Sequence, residues 1–332
     1  MGAARVKLAT LANGSRDGVL AVVARDGERY ADAQGVAATL QDALERWSEV
    51  EAPLREIAAG LEAGRIDGRP LAEASILAPL PRAWQWLDGS AFASHGALMD
   101  KVLGVTPEKT GRPLMYQGVS DRFYAPGDDV LMPSEADGID FEGEFGVIVG
   151  ETPMGVSPDE AMKHIRLLVQ INDWSLRALA GPEMRSGFGW VQAKPPCSMA
   201  PFAVTPDELG SAWRDGRIHL NLTVDWNGAR FGNANGGPMG HGFHDLVAHA
   251  ARTRKLCAGT VIGSGTVSNE TYREVGSSCI AERRGIEIVD FGEARTGFMK
   301  FGDRVRMEAR AADGGVLFGA IDQRVVQAGA AA

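Results

Sequence analysis

The stretch Asp140-Phe-Glu142-Gly-Glu144-Phe-Gly-Val-Ile-Val-Gly150 alternates apolar and other residues as a β-strand does. Glu142 and Glu144 are two residues apart, so both side chains leave the same face of the sheet. Two like charges held this close cost free energy unless a cation compensates for them. The pattern therefore predicts either a site for a divalent cation with oxygen ligands or a solvated acidic strand face.

A third carboxylate, Asp173, lies further along in Ile171-Asn-Asp173-Trp-Ser-Leu-Arg177. The apolar run Leu167–Ile171 before it predicts a buried strand, and strand ends are where sheets present ligands. Between the two acidic stretches, Ser157-Pro158-Asp159-Glu160 has the form of a capping box with proline at the first helical position. We expect a helix there that carries Ala161, Ile165 and Leu168 at helical spacing. Strand, helix and strand would then bring the carboxylates together from neighbouring elements.

Four segments of the chain resemble those of the fumarylacetoacetate hydrolase family, in the same order and at similar spacing. They are Asp140–Gly150, Asn172–Arg177, Lys194-Pro195 and Gly263–Ser268. With the residues between and around them they span most of residues 84–325. The resemblance implies an α+β fold that is mainly β, with a mixed-β roll catalytic domain, a small N-terminal α+β domain and a homodimer.

The resemblance also implies one bound divalent cation, either Mg²⁺ or Ca²⁺ with Mn²⁺ as a further option. Carried over residue by residue, its ligands are Asp88, Glu142, Glu144 and Asp173. The family places the first aspartate seven residues before a catalytic histidine, an interval that Asp88 and His95 reproduce. Asp121 is a rival for this ligand position, but no histidine follows it at a comparable distance. A histidine on an ordinary amphipathic helix is the alternative for His95.

Cleavage of a carbon–carbon bond between two carbonyls requires a nucleophilic water, a polarised carbonyl and a place for the departing enolate. The cation would serve the last two needs as Lewis acid and template, and His95 would act as the base. Arg177 and Lys194 would stabilise negative charge on the attacked carbonyl or on a substrate carboxylate. The alternatives are a structural ion pair for Arg177 and a surface lysine before a Pro195-Pro196 turn for Lys194. By the same resemblance, Tyr124 and Thr266 contact substrate.

The chain departs from the family pattern at two places. Ala180 stands three residues beyond Arg177, where fumarylacetoacetase has a glutamine that donates to the oxyanion. Ile280 stands where an ungapped comparison places the glutamate that orients the catalytic histidine. Glu282 lies two residues further on and would face the same side of a strand, so it is the best substitute. Glu270 is the second choice.

We therefore expect a metal-dependent hydrolase of a 1,3-dicarbonyl acid. The best candidate reaction converts fumarylacetoacetate and water to fumarate and acetoacetate, a step of tyrosine breakdown. Acylpyruvate hydrolysis, 2-oxo-dienoate hydration or isomerisation, and oxaloacetate decarboxylation are alternatives on the same fold. A non-catalytic metal-binding scaffold is a further alternative.

Composition agrees with an enzyme of two domains. The chain has 332 residues, of which 45% are apolar and 23% charged, and it can bury one large core and one smaller one. A formal net charge of −9 argues against nucleic acid as a partner, since phosphates need a basic surface. The sequence shows no long apolar run, so we expect no membrane partner and a cytoplasmic protein. Three scattered cysteines are expected to be free thiols.

We expect a small N-terminal domain over residues 1–80, a catalytic domain over 81–327 and a disordered tail over 328–332. The proline-rich segment Leu77–Pro81 is the predicted boundary. In the first domain, Asn13-Gly14 lies between two apolar runs and predicts a β-hairpin.

Overall fold

A computed structural model describes residues 5–103 and 111–329 of the chain. Its strands are β1 (Lys7–Leu11), β2 (Val19–Val23), β3 (Arg29–Asp32), β4 (Arg69–Pro70), β5 (Trp86–Gly89), β6 (Met115–Gly118), β7 (Val130–Met132), β8 (Ile139–Asp140), β9 (Gly143–Val149), β10 (Ile165–Asn172), β11 (Ser175–Leu176), β12 (Ser198–Met199), β13 (Ala203–Val204), β14 (Trp213–Arg214), β15 (Arg217–Ile218), β16 (Asn221–Trp226), β17 (Ala229–Asn235), β18 (Thr260–Gly263), β19 (Arg304–Arg310) and β20 (Val316–Gln327). Its α-helices are α1 (Leu40–Glu45), α2 (Trp47–Glu62), α3 (Ala93–Leu103), α4 (Pro158–Met162), α5 (Arg177–Ser186), α6 (Phe243–Ala250), α7 (Tyr272–Val275) and α8 (Ile280–Phe291). Residues 330–332 of the predicted tail lie outside the described residues.

Two large sheets form the body of the molecule. The larger has the strand order β4-β3-β2-β1-β13-β10-β9-β18-β5-β6, and β12 also pairs with β10. The smaller has the order β17-β16-β19-β20-β7. Apolar side chains of β9, such as Phe145 and Val147, belong to one buried cluster with Leu222 of β16 and Met307 of β19. This mixed, mainly β architecture confirms the predicted fold class.

The small N-terminal α+β domain is also confirmed, and its strands continue the larger sheet. β1 and β2 pair antiparallel, with Leu8 opposite Val22, as the Asn13-Gly14 signal predicts. β1 then pairs with β13 of the catalytic unit through Leu8 and Ala203. Leu8 also shares a second buried cluster with Leu54 of α2, so the helices cover the face of the sheet that β1 and β2 expose.

The helix predicted from Ser157 is shorter than expected. The Ser157 hydroxyl accepts a hydrogen bond from the Glu160 backbone N–H at 3.4 Å, and α4 ends at Met162. Ile165 and Leu168, which we expected on this helix, lie in β10 instead. β10 is paired with β9 on one side and with β12 and β13 on the other, and nearly all its residues are buried. Burial in the middle of a sheet outweighs the local helical spacing.

The described residues contain three cysteines without a disulfide, Cys197, Cys257 and Cys279. Among the same residues, no helix is both long enough and apolar enough to cross a membrane.

Lys7 is buried where the N-terminal domain meets the catalytic unit. Its ammonium group donates to the backbone carbonyls of Arg25 at 2.9 Å and Val316 at 2.5 Å. Burial lowers the pKa of Lys7 to about 8, although Glu208 and Asp26 act in the opposite direction. The charged form is therefore less stable in the folded protein than in water.

Replacing Lys7 by methionine is expected to change how stability depends on pH. Between the folded pKa of about 8 and the ordinary value of 10.5, the unfolded chain binds more protons than the folded one. The free energy of unfolding contributed by Lys7 therefore rises as the pH rises through this window. From about pH 7.5 to about pH 9.5, Lys7→Met should lose about 2 kcal/mol of this rise. Urea unfolding at both pH values measures this change in stability. Lys300→Met, which replaces an exposed lysine, is the control. An unchanged slope in Lys7→Met would contradict this role of burial.

Candidate active site

Three buried carboxylates from separate parts of the chain meet at one point. One oxygen each of Asp88, Glu144 and Asp173 lies within 4.8 Å of the others. Asp88 is in β5, Glu144 is in β9 opposite Ile171 of β10, and Asp173 follows the end of β10. β18 separates β5 from β9 in the sheet and places Gly263 opposite Asp88. A side chain at Gly263 would collide with the Asp88 carboxylate, so glycine is required there for the cluster to form.

Glu144 is the carboxylate of this cluster with the fewest hydrogen-bond donors and cations around it. It is fully buried, no nitrogen or hydroxyl donor within residues 5–103 or 111–329 reaches either of its carboxylate oxygens, and its hydrogen-bonding neighbour is the carboxyl group of Asp88. Burial, followed by the charges of Asp88 and Asp173, raises the pKa of Glu144 well above its ordinary value. Burial and Asp173 do the same to the pKa of Asp88.

The donor set fits a hard divalent cation. It consists of carboxylate oxygens alone, it is buried, and two oxygens of Glu144 lack the partners that buried polar atoms ordinarily have. Mg²⁺, Mn²⁺ and Ca²⁺ all prefer such ligands.

Glu142 lies beside this cluster but is held by cations. Its Oε1 lies 2.6 Å from the guanidinium of Arg177 and 3.1 Å from the ammonium of Lys194. The hydroxyls of Ser175 and Thr266 donate to its two oxygens at 2.9 and 2.8 Å. Burial alone would raise the pKa of Glu142, but Lys194 and Arg177 outweigh it and lower that pKa below the ordinary value. A direct bond from Glu142 to a cation stays a prediction.

Three donors converge on Asp173. Lys194 Nζ lies 2.6 Å from its Oδ2, and the Tyr116 hydroxyl donates to the same oxygen at 2.6 Å. The Cys197 thiol donates to Oδ1 at 2.9 Å. Burial alone would lower the pKa of Lys194, but Asp173 and Glu142 outweigh burial and raise it. Lys194 is therefore a buried cation of the site rather than a surface lysine.

Sequence reasoning did not find Tyr116 or Cys197. Tyr116 sits in β6 directly opposite Asp88 of β5, so its position follows only once the pairing of these strands is known. Trp190 packs edge-on against Tyr116 with 4.9 Å between ring centroids, and Lys194 Nζ lies 5.3 and 5.7 Å from the two centroids. The two rings and the ammonium form one wall of the site.

His95 and Glu282 approach each other from two packed helices. His95 is in α3, Glu282 is in the first turn of α8, and the His95 Nδ1 to Glu282 Oε1 distance is 3.5 Å. The strand that we predicted around Glu282 is wrong, because Cys279 caps a helix that starts at Ile280. Ile280 is buried among apolar residues, and Glu270 is exposed. The structure thus brings Glu282, rather than Glu270, to His95.

The remaining predicted residues fall in two places. Thr266 is in the site through its bond to Glu142. The Tyr124 hydroxyl instead interacts with the backbone of Leu131, and no hydrogen bond between Tyr124 and the acidic cluster occurs within the described residues. Substrate contact by Tyr124 stays a prediction. Asp121, the rival ligand, is exposed.

Asp140 joins the two halves of the site, a role that the sequence alone did not indicate. It is fully buried and lies 2.8 Å from Arg177 Nε. Its carboxylate also accepts from the backbone N–H groups of Ile280 and Ala281 at 2.7 and 2.9 Å. Asp140 therefore holds both Arg177, which binds Glu142, and the start of the helix that carries Glu282.

Asp140→Asn is expected to lower the free energy of unfolding by about 3 kcal/mol, since it removes a buried charge from the Arg177 guanidinium, leaves that group paired with Glu142 alone within the described residues, and weakens a helix cap. Urea unfolding measures the loss. The matched control Asp121→Asn changes an exposed aspartate and should stay within about 0.5 kcal/mol of the wild type. Equal stabilities of the two variants would refute the role given to Asp140.

Both parts of the chain match known protein families. Residues 85–326 match the fumarylacetoacetate (FAA) hydrolase C-terminal family, and residues 6–82 match fumarylacetoacetase N-terminal domain 2. A 2,4-didehydro-3-deoxy-L-rhamnonate hydrolase of Sphingomonas sp. (strain SKA58) is 31% identical over 157 residues, which cover 46% of this chain and 52% of that protein. The human mitochondrial oxaloacetate tautomerase FAHD2A is 24% identical over 206 residues, which cover 59% of this chain and 60% of that protein. The chain thus matches little more than half the length of these relatives.

A solved structure also resembles this chain over nearly its whole length. The maleylpyruvate hydrolase of Sphingobium sp. SYK-6, in complex with manganese(II) ion and pyruvate, has a TM-score of 0.65 and 19% identity, and the match covers 97% of this chain and 99% of that one. At this identity the likeness supports the fold alone. The C-terminal family match spans well over half of the chain and contains the buried acidic cluster. The chain belongs to the fumarylacetoacetate hydrolase family.

Proposed function

We propose that this chain hydrolyses a carbon–carbon bond in a 1,3-dicarbonyl acid and depends on a divalent cation for it, with fumarylacetoacetate as the best candidate substrate. The observation that carries the proposal is the pairing of His95 with Glu282 beside a buried acidic cluster. Thr266 bonds Glu142 and Ser268 bonds Glu282, so one short turn borders both the acidic cluster and the His95–Glu282 pair. A base and an acidic cation site together are what hydrolysis of a dicarbonyl acid requires.

Asp88, Glu144 and Asp173 would hold the cation, with Glu142 beside them. When bound, the cation would polarise the carbonyl oxygens and stabilise negative charge on the departing group. Lys194 lies 2.6 Å from Asp173 and neutralises part of its charge, so a side-chain cation already balances one carboxylate of the site.

His95 would take a proton from water at the ring nitrogen that does not face Glu282. The water oxygen then bonds to the attacked carbonyl carbon, the carbon–carbon bond breaks, and its electron pair leaves with the enolate. The imidazolium returns the proton to that product. Arg177 and Lys194 would stabilise negative charge on the attacked carbonyl or on a substrate carboxylate. Lys194 is buried and Arg177 is half-buried, and each lies against carboxylates that keep it charged and fixed in position.

Chemistry on a 2-oxo acid is the second candidate, and Ala180 favours it. A hydrolase of fumarylacetoacetate uses a glutamine at this place as a donor to the oxyanion, according to the resemblance, and Ala180 offers no side-chain donor. Tautomerisation or decarboxylation of oxaloacetate needs the cation and a proton-transfer group but no hydrolytic water. A relative named as an oxaloacetate tautomerase lends support to this alternative.

The discriminating experiment follows the absorbance of fumarylacetoacetate with purified protein, with and without a chelator, beside acetylpyruvate and oxaloacetate. Loss of fumarylacetoacetate absorbance that the chelator abolishes and added Mg²⁺ or Mn²⁺ restores would support the first candidate. Hydrolysis of acetylpyruvate alone would support carbon–carbon cleavage of an acylpyruvate instead of fumarylacetoacetate, and turnover of oxaloacetate alone would support chemistry without hydrolysis. Absence of turnover on all three would overturn the proposal in favour of a binding protein.

A further inference from the structure

Two serine hydroxyls, not described above, form a series of hydrogen bonds that ends on Glu282. The Ser94 hydroxyl donates to the Ser268 hydroxyl at 2.8 Å, and the Ser268 hydroxyl donates to Glu282 Oε1. Ser268 and Glu282 are both fully buried. Within the described part of the chain, Ser268 supplies the only side-chain donor that is hydrogen-bonded to Glu282, because His95 Nδ1 at 3.5 Å makes no hydrogen bond.

The direction of these hydrogen bonds follows from the chemistry of the groups. A carboxylate oxygen only accepts, so the Ser268 proton must point to Glu282, and the Ser268 oxygen is then free to accept from Ser94. The group of His95 nearest to Glu282 is Nδ1. A carboxylate held 3.5 Å from Nδ1 favours the imidazole tautomer that carries its proton on that nitrogen, because the positive end of the N–H dipole then faces the negative charge. The lone pair then lies on Nε2, where a base needs it.

We propose that Ser268 is a positioning residue. It holds the Glu282 carboxylate in the orientation that selects the Nδ1–H tautomer of His95, and Ser94 orients the Ser268 hydroxyl. This inference rests on the proposed role of His95 as a base. The same turn supplies Thr266 to Glu142 and Ser268 to Glu282, so one short segment fixes a carboxylate on each side of the site.

The test measures the tautomer of His95 in the protein without substrate, so it does not depend on which reaction is catalysed. Histidine labelled with ¹³C and ¹⁵N is incorporated, and the chain has only six histidines. The His95 signals are assigned by their loss in His95→Asn. At a pH where His95 is neutral, the wild type should show mainly the Nδ1–H form. Ser268→Ala should shift the population toward the Nε2–H form, and Ser268→Thr, which keeps the hydroxyl, should restore it.

Ser277→Ala is the matched control. Ser277 is also a fully buried serine, it lies just before α8, and its hydroxyl has no hydrogen-bond partner among the described residues. This variant should leave the His95 tautomer unchanged. With an active substrate, Ser268→Ala should lower kcat by about tenfold and leave KM within about threefold of the wild type.

Equal tautomer populations in the wild type and Ser268→Ala would overturn the inference, even if activity falls. A shifted tautomer in protein that turns over none of the substrates would uphold the positioning role and count against the proposed function alone. The two claims therefore fail separately.

Discussion

Glu144→Gln is expected to abolish measurable binding of Mg²⁺ and Mn²⁺ and to reduce turnover by about three orders of magnitude or more. Both oxygens of Glu144 are buried beside the Asp88 carboxyl and lack nitrogen or hydroxyl donors within residues 5–103 and 111–329, so a bound cation would supply the positive partner that they lack. The amide keeps the shape of the side chain but removes its charge. Isothermal titration calorimetry with each cation measures the binding loss.

The same substitution should not destabilise the cation-free protein, which separates loss of function from loss of fold. Burial and Asp88 raise the pKa of Glu144 well above its ordinary value, so a negative charge on Glu144 is unfavourable in the cation-free folded protein. With chelator present, Glu144→Gln should be at least as stable as the wild type, whereas added Mn²⁺ should stabilise the wild type only. Glu151→Gln, an exposed glutamate paired with Lys255, is the matched control and should bind cations normally. Undiminished cation binding by Glu144→Gln would contradict the assignment of the site.

His95→Asn is expected to lower kcat by about 10²- to 10⁴-fold, because asparagine cannot accept and return the proton. Cation affinity should stay close to that of the wild type, since His95 is not a member of the acidic cluster. Stopped-flow absorbance on whichever substrate proves active measures kcat, and calorimetry measures the affinity. His249→Asn, a partly buried histidine of α6, serves as the control and should retain activity. A His95→Asn enzyme within threefold of the wild type would exclude His95 as the base.

Much of the site could be predicted from the sequence, for reasons that differ between residues. The two-residue spacing of Glu142, which directly precedes β9, and Glu144, which lies in it, predicts that they share one face, and the end of an apolar strand locates Asp173. Asp88, His95, Arg177 and Lys194 required the family resemblance, because each lies in a segment whose own pattern permits an ordinary surface role. The hairpin at Asn13-Gly14 needed only local turn chemistry.

The parts that could not be predicted depend on contacts between distant segments. Tyr116 reaches Asp173 because β6 pairs with β5, and nothing in its own neighbourhood indicates that pairing. We selected Glu282 on the assumption of a strand, but it lies on a helix. Cys279 caps that helix, and Glu282 in its first turn lies near His95. Ile165 has helical spacing but lies in a strand, because β10 is paired on both sides. Pairing between distant strands decided the cases of Tyr116 and Ile165, and a helix cap decided that of Glu282.

A crystal of the protein soaked with Mn²⁺ tests most directly whether Asp88, Glu144 and Asp173 hold a divalent cation. We predict an anomalous difference peak bounded by the carboxylate oxygens of these three residues, about 2 to 2.3 Å from the atoms that bind it. A peak elsewhere, or no peak while the Lys194 ammonium remains on Asp173, would contradict the account.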